Sequence, residues 1–257
     1  MIRTITAMRY VTPLREGGSL PAIVEADDEQ LYVLKFRGAG QGPKALIAEL
    51  VVGELARILG LPVPEIVFAQ LDPALGRSEP DPEIQDLLKA STGLNLALAY
   101  LPGAFAFDPL LTSLEPELAS AIVWFDGYVT NVDRTPRNTN ILIWQQRPWL
   151  IDHGSALYFH HNWTTDYLAR SRGRFPMIKE HVLLPFASDL PAADADLSAR
   201  LTLEVIESIV TLIPDSWLGD EPSFANQVEH RAAYTAYLSQ RLEPPRAFVE
   251  EAIRARA

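Results

Sequence analysis

The stretch Asn131-Val-Asp-Arg-Thr-Pro-Arg-Asn-Thr-Asn-Ile-Leu-Ile143, NVDRTPRNTNILI, decides how the rest of the chain is read. Within ten residues it packs one carboxylate, two guanidinium groups and three side-chain amides, and then it turns apolar. Asn, Asp and Pro favour turns and Ile favours a pleated surface, so the pattern is a polar loop feeding a strand. The same composition suits a reaction centre. Asp133 and Asn138 stand five positions apart, which sets a carboxylate able to orient a hydroxyl proton one short loop from an amide oxygen able to hold a hard cation.

The whole chain limits what such a loop could serve. With 257 residues, 48% of them hydrophobic, it can bury a substantial core and form two lobes. A net charge of -11 argues against gripping phosphate backbones as its main work, so no direct nucleic-acid partner is expected. MIRTITAMRY carries no long apolar segment and no run of about eighteen apolar residues occurs. Neither a leader nor a membrane partner is therefore expected, and the expected location is cytoplasmic. With no cysteine there is no disulfide, no thiolate nucleophile and no Cys-based metal site.

Outward from the loop, residues 1–101 read as strand-rich. Strands are expected at Ala7 to Thr12, Leu20 to Ala26, Leu31 to Arg37, Glu65 to Leu71 and Asn95 to Leu101. A helix is expected over Lys44 to Leu59, stopped by Gly60, and a shorter one over Glu83 to Ala90 beside the acidic, proline-rich segment Asp72 to Glu83. Residues 102–257 read as mainly helical. Glu115 to Thr130 should be a buried helix with Trp124 and Phe125 in the core, followed by a hairpin over Asn140–Trp144 and Pro148–Ile151. Further helices are expected at 196–213, 223–241 and 244–255.

Two other elements carry chemistry in company with the loop. Asp152-His153-Gly154 follows the apolar run Trp149-Leu-Ile151, where a D-F-G motif would set a metal-binding carboxylate at a strand end. Lys35 lies within a strand, on the face shared by Leu31 and Val33, so an ammonium there needs a counter-charge. Glu49 on the following helix is one candidate. Glu54, about 140° round that helix, is the other. Gly17-Gly-Ser19, between the first two strands, has the small residues that let backbone N–H groups approach a phosphate. Gly38-Ala-Gly-Gln-Gly-Pro-Lys44 does not fit a P-loop, because Pro43 and Ala45 stand where Gly and Ser or Thr are required. His160-His161 with Asp166 makes a poor metal set, since neighbouring side chains on an extended segment point opposite ways.

Taken in order, GGSLPAIVEADDEQLYVLKF, AELVVGELARILGLPVPE, FDGYVTNVDRTPRNTNILI and WLIDHGSALYF resemble a short HipA-like kinase, in the superfamily that includes phosphatidylinositol kinases. The resemblance runs from residue 10 to about residue 160. It implies an α+β, bilobal, protein-kinase-like fold: an N-terminal antiparallel sheet with one main helix over 1–101, which binds the nucleotide phosphates, and a helical lobe over 102–257 with the catalytic loop and metal site. It also implies an ATP- and magnesium-dependent phosphotransferase acting on a hydroxyl, foremost Ser or Thr of a protein, with a small-molecule acceptor or a noncatalytic binding module as alternatives. Asp133 would be the catalytic aspartate, Asn138 and Asp152 the magnesium ligands, Lys35 the phosphate lysine paired with Glu49, and Gly17, Gly18 and Ser19 the phosphate loop. HipA toxins pair with an antitoxin. This chain is shorter than they are and has His153 at the second D-F-G position, which leaves an antitoxin-like partner open.

Overall fold

The computed structural model describes residues 2–14, 20–219 and 221–257. Five strands, β1 (Thr4–Pro13), β2 (Ala22–Ala26), β3 (Leu31–Lys35), β4 (Ile66–Leu71) and β5 (Gly93–Ala99), close into a barrel in the order β1-β2-β3-β5-β4. Four pairings are antiparallel, as expected of this sheet. The fifth runs β1 parallel to β4, with Thr4 opposite Phe68 and Ala7 opposite Leu71, and closes the sheet on itself. Such a narrow barrel must be filled by its own side chains. Ala7, Ala22, Ala26, Ala69 and Ala97 supply small positions among Val24, Tyr32, Leu34 and Leu71. Alternation along β3 sends Tyr32 and Leu34 into this core and Lys35 to the opposite side.

Helix α1 (Pro43–Ile58) opens with proline in its first turn, where a missing N–H costs nothing. It ends where the sequence places Gly60. That residue takes φ 78°, the Gly60 N–H donates to Arg57 O, and the Leu61 N–H reaches back to Ala56 O. These are the two bonds that satisfy orphan carbonyls in a Schellman stop. Ten of its residues, Leu46 to Val52 with Gly53, Leu55 and Ala56, are buried. The apolar side chains among them belong to the larger core, shared with the outer face of β4 and β5 and with the C-terminal helices, rather than to the barrel interior.

Helix α2 (Pro82–Ala90) precedes β5, and a short strand, β6 (Phe105–Ala106), leads to α3 (Pro116–Tyr128). Trp124, Phe125 and Tyr128 on α3 are buried in the larger core, as the sequence suggests. The predicted hairpin forms as β7 (Ile141–Trp144) and β8 (Arg147–Leu150), with β6 added at its edge. Helices α4 (Tyr167–Ser171), α5 (Leu190–Arg200), α6 (Leu203–Val210), α7 (Asp215–Leu218), α8 (Gln227–Leu242) and α9 (Ala247–Arg256) follow. The single helix expected over 196–213 is two. Thr202 is extended, and its Oγ1 accepts the Val205 N–H as an N-cap, which starts α6 afresh. Among the described residues no helix is long and apolar enough to cross a membrane.

Candidate active site

Lys35, at the end of β3, and Asp152, just past β8, meet across 117 residues of chain with Nζ 2.6 Å from Asp152 Oδ1. Glu49, in the middle of α1 and almost wholly buried, sets Oε2 3.5 Å from the same nitrogen. This settles the choice of counter-charge, because Glu54 turns instead to Arg57 at 2.9 Å. Burial alone would lower the Lys35 pKa, but the two carboxylates outweigh it and hold the ammonium above its usual range. Burial would likewise raise Glu49. Lys35, followed by His153, overrides that and brings it to about 2, so the pair stays charged.

Asp152 holds φ 55°, a left-handed conformation that costs a non-glycine residue energy and clusters at functional turns. Its side chain remains 39% exposed, whereas that of Lys35 is 12% exposed. The ring of His153, next in sequence, is fully buried. Its Nδ1 lies 3.6 Å from Glu49 Oε1, beyond hydrogen-bonding reach, and neither ring nitrogen nor that oxygen has a hydrogen-bond partner among the described residues.

The catalytic-loop candidate lies between α3 and β7 and rests on buried charge. Asp126, in the last turns of α3, receives Arg134 Nε at 2.5 Å and His181 Nε2 at 2.8 Å on Oδ2, and Asn131 Nδ2 at 3.0 Å on Oδ1. Burial pushes its carboxyl up, but Arg134 and His181 hold it well below the ordinary carboxylate range. Arg134 also donates to the Asn140 carbonyl, which accepts the Ile151 N–H at 3.0 Å. One carbonyl thus ties the loop to the strand end that carries Asp152. Within the loop, Asn131 Oδ1 accepts the Asp133 N–H at 3.1 Å, while the Asn138 and Asn140 amides donate to Asp133 Oδ2 at 2.9 and 3.3 Å. Asn138 therefore spends its NH₂ on Asp133 and keeps its carbonyl oxygen for another partner.

The residues singled out by sequence thus fall into two groups, Lys35 with Glu49 and Asp152, and Asp133 with Asn138. Gly17, Gly18 and Ser19 lie outside the described residues. Arg134 is committed to Asp126 and the Asn140 carbonyl, whereas Arg137 is exposed. Ser171, Arg172 and Arg174 turn to the helical lobe: Ser171 donates to Gln240, and Arg172 and Arg174 face Glu243 and Glu251. The segment holding His160 and His161 is a 3-10 turn rather than extended. The two rings pack edge to face 4.4 Å apart, and His160 Nδ1 lies 3.1 Å from the Tyr234 hydroxyl. Asp126 and His181 were missed by the sequence reading. The available signal was an acid inside AIVWFDGY, a run otherwise able to be fully buried.

The fold is similar to that of the Helicobacter pylori proinflammatory kinase CtkA, with a TM-score of 0.60 at 15% identity over 99% of this chain and 98% of that one. A Golgi casein kinase determined with Mn and ADP bound gives a TM-score of 0.49 at 11% identity, over 96% of this chain and 74% of the other. No curated protein sequence matches the chain. The model of the HipA-like kinase family matches residues 8–245, nearly the whole length, and the chain belongs to that family.

Proposed function

We propose that this chain transfers the γ-phosphate of ATP to a hydroxyl, foremost that of Ser or Thr in a protein acceptor, with magnesium as cofactor. The observation that carries the reading is the meeting of Lys35 and Glu49, from the consecutive β3 and α1, with Asp152, 117 residues beyond the lysine. Lys35, kept charged by its two carboxylates, is suited to grip nucleotide phosphates, with Gly17, Gly18 and Ser19 as the covering loop. Residues 1–101 form the nucleotide side and residues 102–257 the side that presents the acceptor.

Asp133 orients the acceptor hydroxyl and takes its proton, and the Asn131, Asn138 and Asn140 contacts fix where its carboxylate lies. The Asn138 amide oxygen and the exposed part of the Asp152 carboxylate are the hard oxygen donors that magnesium selects, and they are the residues that would hold it. When bound, the ion neutralises charge on the phosphates.

The test has two stages. Magnesium-ATP at saturating concentration should raise the unfolding midpoint of the wild type, because a ligand bound only to the native state stabilises it. Labelled ATP should then mark a protein in a lysate, while a mark confined to the metabolite pool would replace the protein acceptor by a small molecule. Asp133→Ala should cut transfer by about 100-fold or more and keep the nucleotide-induced shift. Transfer at the wild-type rate in that variant would remove Asp133 from its role.

A further inference from the structure

His153 stands where a D-F-G motif carries phenylalanine, and the chemistry proposed above does not use it. A phenylalanine there could only fill space. An imidazole brings a donor and an acceptor into a fully buried place, where a polar group left unpaired is destabilising. The ring is fully buried, with both nitrogens unpartnered among the described residues. The nearest complementary group is the other unpartnered atom of the same site, Glu49 Oε1, 3.6 Å from Nδ1. A shift of a few tenths of an ångström brings the two into hydrogen-bond range.

The geometry has a consequence for Lys35. Its ammonium lies closer to Asp152, at 2.6 Å, than to Glu49, at 3.5 Å. If Asp152 turns toward a cation, Glu49 is left as the main anchor of the lysine. Glu49 is a helix residue whose Oε1 has no hydrogen-bond partner among the described residues, so its carboxylate is held mainly through Oε2 by Lys35. His153 is joined to Asp152 by one peptide bond, so any rotation of the Asp152 turn moves the ring against α1.

We infer that His153 is a positioning residue for phosphoryl transfer: it donates from Nδ1 to Glu49 Oε1 and locks the carboxylate that holds Lys35, coupling the Asp152 turn to α1. This inference rests on the function proposed above but does not share its test. With both oxygens then engaged, one by Lys35 and one by His153, Glu49 cannot rotate away when Asp152 changes partner. The bond links the strand-end turn directly to the helix.

The first readout needs no turnover. In protein labelled at the histidine ring nitrogens, addition of magnesium and ADP should give a slowly exchanging, hydrogen-bonded Nδ1–H signal assigned to His153, and Glu49→Ala should remove it. Nδ1 without its proton in both free and loaded wild-type protein overturns the inference. The second readout separates positioning from packing. His153→Leu, which keeps bulk and loses the donor, should lower kcat by about 10- to 100-fold, the usual scale for residues that orient a site's ligands, with the KM for ATP changed less than about threefold. His153→Asn, whose amide NH₂ can take the place of Nδ1–H, should recover most of that loss. Equal kcat for His153→Leu and wild type, or a loss that follows only the unfolding midpoint and is not recovered by asparagine, also overturns it. Absence of turnover in the wild type would sink the proposed function instead, and the ring signal would still decide the His153–Glu49 bond.

Discussion

Two clusters of charge make up the candidate site, and they are built differently. Beneath the loop over residues 131–140, Asp126 and Arg134 have no side-chain exposure, and the Asp126 oxygens collect an arginine, a histidine and an asparagine. Around Lys35 the carboxylates are spread over a buried helix residue and Asp152 at a strand end, whose side chain is 39% exposed, and one glutamate oxygen has no hydrogen-bond partner among the described residues. The first cluster meets its charges within the protein, although Arg134 Nη2 is left without a hydrogen-bond partner among the described residues. The second keeps capacity for partners that come and go. A buried ion pair contributes little net stability over a well-packed apolar replacement, but losing one member is costly because the other is stranded. The loop cluster is therefore built as a pedestal, and the lysine cluster, under the proposed function, is the part that changes its contacts.

The sharpest way to break this contrast is to remove the centre of each cluster. Asp126→Ala strands Arg134 and His181 in the core and should cost about 3–5 kcal/mol, seen as a lower denaturant midpoint with unchanged slope. Asp152→Ala leaves Lys35 its contact with Glu49 and removes only a partly exposed partner. It should cost about 1 kcal/mol or less while abolishing transfer. Equal stability losses would mean that the two clusters do the same work.

Acid should act on both, in two separate windows. Burial lowers the His181 pKa against the pull of Asp126, with Arg134 lowering it further; His160, also buried, lies well below its ordinary value, and burial brings His230 to about 4. A histidine held neutral in the fold contributes stability that is complete above its unfolded value near 6.5 and is lost as pH falls through the depressed one. Glu49 follows the same sign lower down. Its contribution is complete above the ordinary carboxylate value of 4.5 and is lost as pH drops toward about 2. Chemical denaturation from pH 8 to 3 should therefore show a plateau, a first decline starting near 6.5 and a second starting near 4.5. His181→Gln should flatten the first decline in part, and an unchanged profile would remove His181 from it.

How much of this was readable beforehand depends on whether the signal is local. Gly60 and the apolar run of α1 located that helix to within a residue at each end, and period-two alternation put Lys35 opposite Tyr32 and Leu34 correctly. Asp133, Asn138, Asp152 and Lys35 were legible as chemistry because each residue type was unusual where it stood. Closure of the barrel was not legible, since the β1–β4 pairing joins strands 64 positions apart (Thr4 to Phe68) and leaves no periodicity of its own. The preference for Glu49 over Glu54 came from the resemblance and not from spacing: both stand on one helix, and it is the folded arrangement that puts Glu49 beside Lys35 and Glu54 beside Arg57. The pedestal escaped notice because Asp126 and His181 are 55 residues apart and each alone is unremarkable in the sequence.

Arg137 offers the finest test of the contrast, because it lies in the same loop as Arg134 and is treated oppositely by the fold. Arg134 is buried to 1% exposure and spends Nε on Asp126 and Nη1 on the Asn140 carbonyl. Arg137 is exposed and makes no ion pair or side-chain hydrogen bond among the described residues. Substitution of an exposed side chain with no partner should shift stability by no more than about 0.5 kcal/mol. Arg137→Ala should therefore unfold like the wild type, while Arg137→Lys separates charge from shape, since a guanidinium makes paired contacts to phosphate or carboxylate that an ammonium cannot. If transfer falls in the alanine variant and is only partly restored by lysine, the free guanidinium serves the reactants while its neighbour serves the fold. A stability loss of about 1 kcal/mol or more would instead place Arg137 in the pedestal and erase the difference between the two arginines.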